Sequence, residues 1–473
     1  MKTKAILTLA LALAAAVPAA AQQKEGVAVT VYNGGYCVVR EIRGLDIGAG
    51  GIVKFTDVAR NIDATTVHFK SLTDPAAKLL EQNYQYDLVS ADKLLRKYID
   101  KAVEAVCEGK TYEGKLLSFD SRQLVLRQAD GKIVMVQRPD NVRDIRFSAL
   151  PGGLLTRPTL LWKVATGKPG RHVAEVTYQS GGIRWHAEYV LVLNARDTAA
   201  DLSGWVSVDN KSGKTYSDAK MKFIAGDVRR VASARSGGVS TRGRGKGAGV
   251  AGMEEKAFFE YHMYTLPRPS TVADNETKQL EMFAPARGVK VAKKYLYNPL
   301  GNFRWNRGSR YTDRSYGTTS YKKVHVFVEF QNAAANKLGI PLPAGKVRVY
   351  KQDPEDKALE FVGEEKIDHT PKDEKLSLRI GNAFDIVGER KQTDYRIETG
   401  RKWISESFEI KVRNHKEEAV TVRIKEPLYR WATWRITQKS RDFEKLDSRN
   451  VAFDVDVKAD GEAVVTYTVE YTW

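Results

Sequence analysis

The amino-acid sequence predicts a mainly β protein that is divided into several domains. Short runs in which apolar residues occupy every second position recur along most of the 473 residues, and glycine, asparagine or aspartate separates them. Only one stretch shows the apolar spacing that is typical of a helix. At about 150 residues per domain, the length corresponds to roughly three domains, each large enough to bury a hydrophobic core.

The first 21 residues predict a signal peptide for export. Lys2 and Lys4 precede an apolar run over residues 5–17, and small residues lead up to Ala21, which is the usual arrangement before a cleavage site. The run is shorter than the roughly 20 residues that a helix needs to cross a bilayer. We therefore expect cleavage between Ala21 and Gln22, no integral membrane segment afterwards, and a periplasmic or secreted protein.

Residues 22–88 predict an amino-terminal β domain. Apolar and polar residues alternate over residues 27–32 and 36–42, and the Asn-Gly-Gly sequence between these runs is typical of a tight turn. β-Branched residues are enriched on both sides of that turn. A small domain of antiparallel strands is the simplest structure that fits this pattern.

A short helix and a small barrel are predicted for residues 89–150. Residues 92–99 place three apolar side chains on one helical face, and Ser90 is a suitable N-cap. Five short runs with β character follow, separated by tight polar turns, and five such strands are typical of an SH3-like barrel. These runs are residues 102–106, 111–118, 123–127, 132–137 and 142–147.

Residues 109–120 combine a glycine in a bent strand with Phe119-Asp120 at the turn that follows. This pattern resembles the first motif of Sm-like barrels. The second motif, which an RNA site also needs, is approximated only loosely by residues 141–145. Because exported proteins rarely meet RNA, we interpret the region as a structural SH3/Sm-like barrel rather than an RNA-binding site.

Residues 151–232 and 321–473 predict the two parts of one split β-sandwich, since both contain strands separated by regularly spaced turns. Residues 233–320 between them lose the alternation, and their glycine- and arginine-rich tract at 236–249 cannot bury enough apolar surface to become ordered. We predict a basic flexible insertion there, with one strand over residues 258–266. Each doubling of such a loop costs only about 0.6 kcal/mol of closure entropy.

Most of the excess positive charge lies in one internal segment. The chain has a net charge of +18, and removing Lys2 and Lys4 leaves +16. Residues 229–323 contain 19 Lys and Arg but only 7 Asp and Glu, so they carry three quarters of that excess. Such a concentration is typical of a solvated arm that attracts anionic polymers.

Basic and aromatic residues are interleaved within this segment. Guanidinium groups pair with phosphate or carboxylate, and aromatic rings stack on sugars or bases. A purely solubilising insertion has the same composition, and the sequence leaves both interpretations open. The candidate residues for binding an anion or a partner are Arg242, Arg244, Lys246, Arg304, Trp305, Arg307 and Arg310.

The sequence contains no Gly-x-Ser-x-Gly, His-Glu-x-x-His or Cys-x-x-Cys motif, and we expect no cofactor and no bound metal. His186 and Glu188 face one side of a predicted strand and are weak candidates for acid–base chemistry. Because no nucleophile accompanies them, a surface pair is favoured. Cys37 and Cys107 are able to form a disulfide in an oxidising compartment, but two buried thiols fit their apolar surroundings better.

Several separated motifs follow one another along most of the mature chain. They are residues 182–189 (GIRWHAEY), 202–205 (LSGW), 216–219 (YSDA), 225–228 (AGDV), 266–269 (LPRP), 339–345 (GIPLPAG), 368–371 (DHTP) and the closing stretch 414–473. This set resembles the domain of unknown function 4139 family, some members of which are called mucoidy-inhibitor-A-like. The resemblance implies an exported β protein but no catalytic residues, because that family has no assigned chemistry.

These observations favour an exported, non-catalytic scaffold or binding protein of the cell envelope. It would engage an anionic polymer or a protein partner through the basic aromatic segment, and its binding would depend on salt. Two alternatives stay open at this point. One is an unrecognised hydrolase of envelope polymers that uses carboxylates or His186, and the other is a nucleic-acid-binding protein, which is less favoured for an exported chain.

Overall fold

Most residues that the computed structural model describes lie in β-strands, and they form several sheets. The prediction of a mainly β protein with several domains is confirmed. The described residues are 25–86, 90–149, 151, 155–226, 228, 253–301 and 311–473. Within these ranges no helix is long and apolar enough to cross a membrane.

The strands of the amino-terminal half follow the alternation in the sequence, as in β13, where every second side chain is buried. Helix α1 (Ala91–Lys97) precedes β6, and the single turn α2 (Arg138–Asn141) precedes β10. The strands are β1 (Gly26–Tyr32), β2 (Tyr36–Ile47), β3 (Ile52–Thr56), β4 (Ile62–Ser71), β5 (Lys78–Gln85), β6 (Ala102–Cys107), β7 (Lys110–Phe119), β8 (Gln123–Arg127), β9 (Ile133–Gln137), β10 (Val142–Arg146), β11 (Thr159–Ala165), β12 (Gly170–Gly181), β13 (Ile183–Leu193), β14 (Ala199–Asn210) and β15 (Tyr216–Ala225).

The carboxy-terminal half is built in the same way and includes two very long strands, β19 and β23. Short 3-10 turns occupy Ala334–Asn336 and Thr399–Arg401. The strands are β16 (Glu254–Phe258), β17 (Tyr261–Thr265), β18 (Ser270–Val272), β19 (Glu276–Tyr297), β20 (Lys323–Gln331), β21 (Gly345–Gln352), β22 (Leu359–Ile367), β23 (Lys375–Glu398), β24 (Trp403–Asn414), β25 (Val420–Pro427), β26 (Trp434–Lys439), β27 (Glu444–Lys445), β28 (Asn450–Val457) and β29 (Gly461–Thr472).

The larger hydrophobic core lies between sheets that pack face to face in a sandwich-like arrangement. An eight-stranded sheet has the order β16-β17-β15-β1-β2-β12-β4, with β18 beside β15. Side chains from β13 cover it, and Trp185 contacts the rings of Phe223 (centroids 5.6 Å apart) and Tyr264 (6.3 Å). Each large apolar side chain buried in this way contributes about 1.5–3 kcal/mol.

The amino-terminal strands belong to this first core and do not form the separate domain predicted for residues 22–88. Strand β1 pairs in parallel with β15, so that Val29 lies opposite Met221. Strand β12 pairs with both β2 and β4. The domain boundary at residue 88 was predicted from local alternation, and local alternation does not reveal parallel pairing between segments that are distant in the sequence.

A sheet of 13 strands connects the first core to a second one. The first part of β19 pairs with β14, and its last residues pair with β20 and β25. The second core lies on the carboxy-terminal part of this sheet and is formed mainly by β23 to β29. Residues 321–473 were predicted to form the second part of one sandwich, but they contribute to both cores. Strand β21 and its neighbours pack in the first core, and most of the remaining strands form the second core.

The five strands predicted within residues 89–150 are present and pair in the order β10-β6-β7-β8-β9. Helix α1 begins after Ser90, whose hydroxyl accepts a hydrogen bond from the backbone N–H of Lys93 (3.4 Å), and it buries Leu95 against the sheet. No pairing between β9 and β10 closes the sheet in the described part of this region. The closed SH3/Sm-like barrel is therefore not confirmed.

The flexible insertion predicted over residues 233–320 contains four strands, so that prediction is wrong for residues 254–297. Strands β16 and β17 form a hairpin on the edge of the eight-stranded sheet. Strand β19 contains Pro285 and Gly288 close to three register shifts against β14, and these irregularities hid its alternation. Residues 233–252 and 302–310 lie outside the described residues.

Candidate functional site

All seven residues predicted to bind an anion or a partner lie outside the described residues. They are Arg242, Arg244, Lys246, Arg304, Trp305, Arg307 and Arg310. Ala21 and Gln22, which flank the predicted signal cleavage, also lie outside them. The structure does describe the residues that flank these candidates in the chain, namely 228, 253, 301 and 311.

Residues 311–320, which follow the last candidate arginine, form a strap that packs on the second core. The guanidinium of Arg430 donates hydrogen bonds to the backbone carbonyls of Tyr311 (2.7 Å) and Asp313 (2.8 Å). The guanidinium of Arg390 donates to the carbonyl of Gly317 (2.9 Å). Two arginine side chains thus hold the strap by its backbone, and strap side chains such as Ser320, which accepts from the backbone N–H of Arg390 (3.1 Å), add to this attachment.

Two further contacts fix the course of the strap. The hydroxyl of Tyr395 donates to the carbonyl of Thr312. The strap crosses the ring of Tyr429 at Gly317, whose φ is +75°, and a Cβ there would lie 2.3 Å from that ring. A residue without a side chain is required at this crossing, both for the backbone conformation and for the close approach.

The two arginines that hold the strap are buried, and each pairs with a buried glutamate. Arg390 Nε lies 2.7 Å from Glu426 Oε1, and Arg430 Nη2 lies 2.7 Å from Glu406 Oε1. All four side chains are at most 1 % exposed. Removing ions from water costs several kcal/mol each, so pairs of this kind persist only where partners and hydrogen bonds compensate. We call these four residues the arginine anchor.

The arginine anchor keeps its positive groups charged. Desolvation is the largest single effect and lowers the pKa of Arg390, but Glu426, Tyr467 and Tyr429 together outweigh it, and the pKa of Arg390 is raised overall. Burial raises the pKa of Glu426, and Arg390 opposes that effect. Because a guanidinium does not lose its proton in proteins, both hydrogen-bond donors to the strap remain available over the physiological pH range.

Aromatic side chains surround the beginning of the strap. The rings of Tyr311 and Tyr316 stack with their centroids 3.9 Å apart, and the Arg430 guanidinium lies 4.9 Å from the Tyr395 ring. Trp431 packs partly buried against the same core. Flat rings beside guanidinium groups are suited to stacking on sugars or bases.

His186 and Glu188 lie side by side on the outer face of β13, as predicted. His186 Nε2 is 3.1 Å from one oxygen of Glu188, and the other oxygen accepts a hydrogen bond from Arg348 of β21. Arg348 also faces Glu364 of β22 at 3.6 Å. Both oxygens of Glu188 are engaged, and no hydroxyl or thiol is hydrogen-bonded to the pair in the described part of the chain. The pair belongs to a surface ion network.

The first core contains a serine–histidine pair that the sequence did not reveal. The Ser71 hydroxyl is 2.9 Å from Nδ1 of His172, whose Nε2 is 2.6 Å from the carbonyl of Lys168. The Asp74 carboxylate accepts from Thr166 (2.6 Å) and not from the histidine. Ser71 is 2 % and His172 1 % exposed, so a substrate does not reach them. The pair fastens β4 to β12.

A second buried charge cluster lies in the first core around Glu41. One oxygen of Glu41 is 3.0 Å from Lys214 Nζ and accepts from the Tyr178 hydroxyl (2.7 Å), and the other pairs with Arg43. Lys214 also donates to the carbonyl of Asp57. Burial lowers the pKa of Lys214, although Glu41 opposes this. We call this group the Glu41 cluster.

Cys37 and Cys107 are free cysteines, so the possible disulfide between them is not formed. Cys37 is buried in the first core, and burial raises the pKa of its thiol to about 12. Cys107 ends β6 in the five-stranded sheet. Among the described residues, no three His, Cys, Asp or Glu side chains are grouped so that they could hold a metal ion.

Comparisons with known proteins add no relative from which a function could be transferred. No model of a known protein family matches the chain, and no curated protein matches it significantly.

Proposed function

We propose that the protein is an exported, non-catalytic scaffold or binding protein of the cell envelope that engages an anionic polymer or a protein partner through basic aromatic segments. The observation that carries this proposal is the arginine anchor, which fastens the backbone that directly follows residues 302–310. That segment combines Arg304, Arg307 and Arg310 with Trp305 and contains no acidic residue.

Nine of the twelve excess positive charges of residues 229–323 belong to two segments that are attached to different parts of the molecule. Residues 229–252 contain six Lys and Arg and no Asp or Glu, and Met253, just after them, donates to the carbonyl of Met282 in β19. The second segment follows the other end of β19, at Tyr297. About 15 strand residues at about 3.3 Å each separate these points by up to about 50 Å. A polymer is long enough to reach both attachment points, whereas a small anion is not.

A non-catalytic role is supported by two described pairs of side chains of catalytic type. The His186–Glu188 pair is part of an ion network with Arg348. The Ser71–His172 pair is enclosed in the first core. Neither arrangement offers an accessible nucleophile beside a general base, which hydrolysis by a serine mechanism requires.

Export and the resemblance to the domain of unknown function 4139 family are part of the same proposal. Both rest on the sequence, namely on residues 1–21 and on the ordered motifs from residue 182 to the carboxy terminus. Mass spectrometry of the protein recovered from its host cell tests the export part. An amino terminus at Gln22 supports export, and an unprocessed Met1 in the cytoplasmic fraction contradicts it.

Binding of the mature protein to a carboxylated polysaccharide, to anionic lipid vesicles and to duplex DNA tests the binding function, each at low and high salt. We expect saturable binding that weakens as salt rises, because salt screens exposed charges over about 8–10 Å. Replacing Arg304, Arg307 and Arg310 together with glutamine should weaken it severalfold. Replacing Arg122, Arg127 and Lys132, three exposed basic residues of the five-stranded domain, with glutamine is the matched control and should leave binding unchanged.

The three ligands separate the partner classes. Binding to the polysaccharide or the vesicles supports an envelope role, and preferential binding to DNA supports the nucleic-acid alternative. Equal weakening by the two triple variants would mean that only total charge matters, and the proposal that these segments form the binding surface would then fail.

A further inference from the structure

Strand β22 (Leu359–Ile367) forms one edge of the 13-stranded sheet. It pairs with β21 on one side, and no other described strand pairs with it. Its second half is crossed by β23, since a Cβ on Gly363 would lie 2.3 Å from the carbonyl oxygen of Ile380. All four side chains of the first half, residues 359–362, are exposed, and we call this the open half. Unpaired N–H and C=O groups on an edge of this kind are a template for another strand.

Apolar side chains of this open half are exposed. Leu359 is 53 %, Phe361 55 % and Val362 36 % exposed, and Leu359 and Phe361, two residues apart, lie on one face of the strand. Natural edge strands are commonly protected by lysine, proline or a covering element. Residues 359–362 (LEFV) contain no lysine or proline. Glu360 supplies one charge, and a register shift against β21 lies at Val362, so this half is protected against an acidic strand more than against a basic one.

The side chains of β21 show which residue types pair favourably with β22 on its occupied side. Lys346 of β21 lies 3.1 Å from the carboxylate of Glu364, and the ring of Tyr350 meets that of Phe361 edge to face at 5.7 Å. The β21 sequence, GKVRVYKQ, interleaves basic and aromatic residues with valine. Basic residues opposite acidic ones and aromatic residues opposite aromatic ones are favourable cross-strand pairs.

The charge around this edge is opposite to that of the rest of the chain. Residues 353–368 contain seven Asp and Glu and two Lys, on a protein with a net charge of +18. A β22 strand from a second copy would bring acidic residues such as Glu360 against one another, which destabilises the pairing. A basic strand is attracted to the same edge.

We propose that residues 359–362 bind an extended basic peptide of a protein partner by β-strand addition. Main-chain hydrogen bonds along the open edge would supply affinity, and contacts with Phe361 and Glu360 would supply specificity for aromatic and basic side chains. This surface is separate from the arginine anchor and does not depend on polymer binding.

The test is a fluorescence-anisotropy titration of the mature full-length protein into a labelled peptide with the sequence of residues 345–352. We expect saturable binding that weakens with salt. A peptide with glutamate in place of its Lys and Arg, and one with proline in place of the central valine, should not bind, because the first reverses the charge and the second removes a main-chain donor. Equal binding of the original and the charge-reversed peptides would overturn the proposal.

Variants of the protein localise the peptide. Phe361→Ser and Glu360→Lys should each weaken binding about fivefold, the upper end for one cross-strand pair. Phe384→Ser removes another phenylalanine, 96 % exposed in β23, and should bind like the wild type. No saturable binding, or the same loss in Phe384→Ser as in Phe361→Ser, would rule out the edge as the site. Polymer binding by Phe361→Ser should remain unchanged, so that failure here is distinguishable from failure of the proposed function.

Discussion

The two hydrophobic cores each contain a buried group of paired charges, but the groups hold different kinds of structure. In the first core, the Glu41 cluster joins regular strands and the turn at Asp57, and Glu41 itself has three partners. In the second core, the arginine anchor holds a strap without regular secondary structure. The comparison indicates that the buried ions of the first core connect regular strands to one another, whereas those of the second core fix the position of an irregular segment.

The two groups also use different cations. Lys214 is a compact ammonium whose pKa burial lowers, and it reaches one carbonyl, that of Asp57. Arg430 presents a planar fork and reaches three strap carbonyls, those of Tyr311, Asp313 and Tyr316, in addition to its glutamate. A guanidinium has five donors in a fixed geometry, which suits it to binding several carbonyls of an irregular backbone at once.

The largest expected effect follows from breaking the arginine anchor. Arg430→Ala leaves the carboxylate of Glu406 buried without its ion-pair partner and should lower the free energy of unfolding by about 3–5 kcal/mol. Urea denaturation followed by tryptophan fluorescence measures this. Arg435→Ala is the control, since Arg435 pairs with Glu470 at 3.0 Å but is 76 % exposed, and it should cost less than about 1 kcal/mol. Similar losses of unfolding free energy in both variants would show that burial does not make the anchor more stabilising than an exposed ion pair.

A smaller loss is expected in the first core, although its ion pair is also buried. In Lys214→Met, Glu41 retains Arg43 and the Tyr178 hydroxyl, so the free energy of unfolding should fall by about 1.5–3 kcal/mol, the range for a hydrogen bond to a charged group. The same denaturation measurement applies. A loss as large as that of Arg430→Ala would contradict the difference drawn between the two groups.

The strap itself is tested by removing one of its hydrogen bonds. Tyr395→Phe deletes the donor to the Thr312 carbonyl, which should weaken docking of the strap by about 0.5–1.5 kcal/mol and speed tryptic cleavage after Arg314 about two- to tenfold. Mass spectrometry of the fragments gives the rate. Tyr84→Phe removes an equivalent hydroxyl-to-carbonyl bond, to Arg60 at 2.9 Å, and should leave this cleavage unchanged. An unchanged rate in Tyr395→Phe would mean that the strap is held by other contacts alone.

The smallest effect concerns the two thiols. Burial raises the pKa of Cys37 to about 12, so at pH 8 its thiolate is almost absent and iodoacetamide should modify Cys107 but not Cys37. The raised folded-state pKa also means that the contribution of Cys37 to stability is present below its ordinary pKa of about 8.5 and is lost as the pH rises towards 12. Peptide mapping after alkylation checks the first outcome, and comparable labelling of both thiols would contradict it.

Local patterns in the sequence predicted individual elements well. The turn between β1 and β2, helix α1 with its Ser90 cap and the five strands of the small domain all lie within a few residues of their predicted positions. Strand β19 was missed because Pro285 and Gly288 interrupt its alternation. The side-by-side placement of His186 and Glu188 was predicted, but Arg348, which engages Glu188 from 160 residues away, was not.

By itself, the sequence determined most of the strands, with residues 254–297 as the main exception, since alternation along a strand is a local property of the chain. It also determined where the positive charge is concentrated. Only the tertiary structure decided which strands share a sheet, as in the parallel pair of β1 and β15, and which charged residues are buried. Arg390 and Arg430 resemble surface arginines in the sequence. Their role depends on Glu426, Glu406 and the strap, which distant strands bring together.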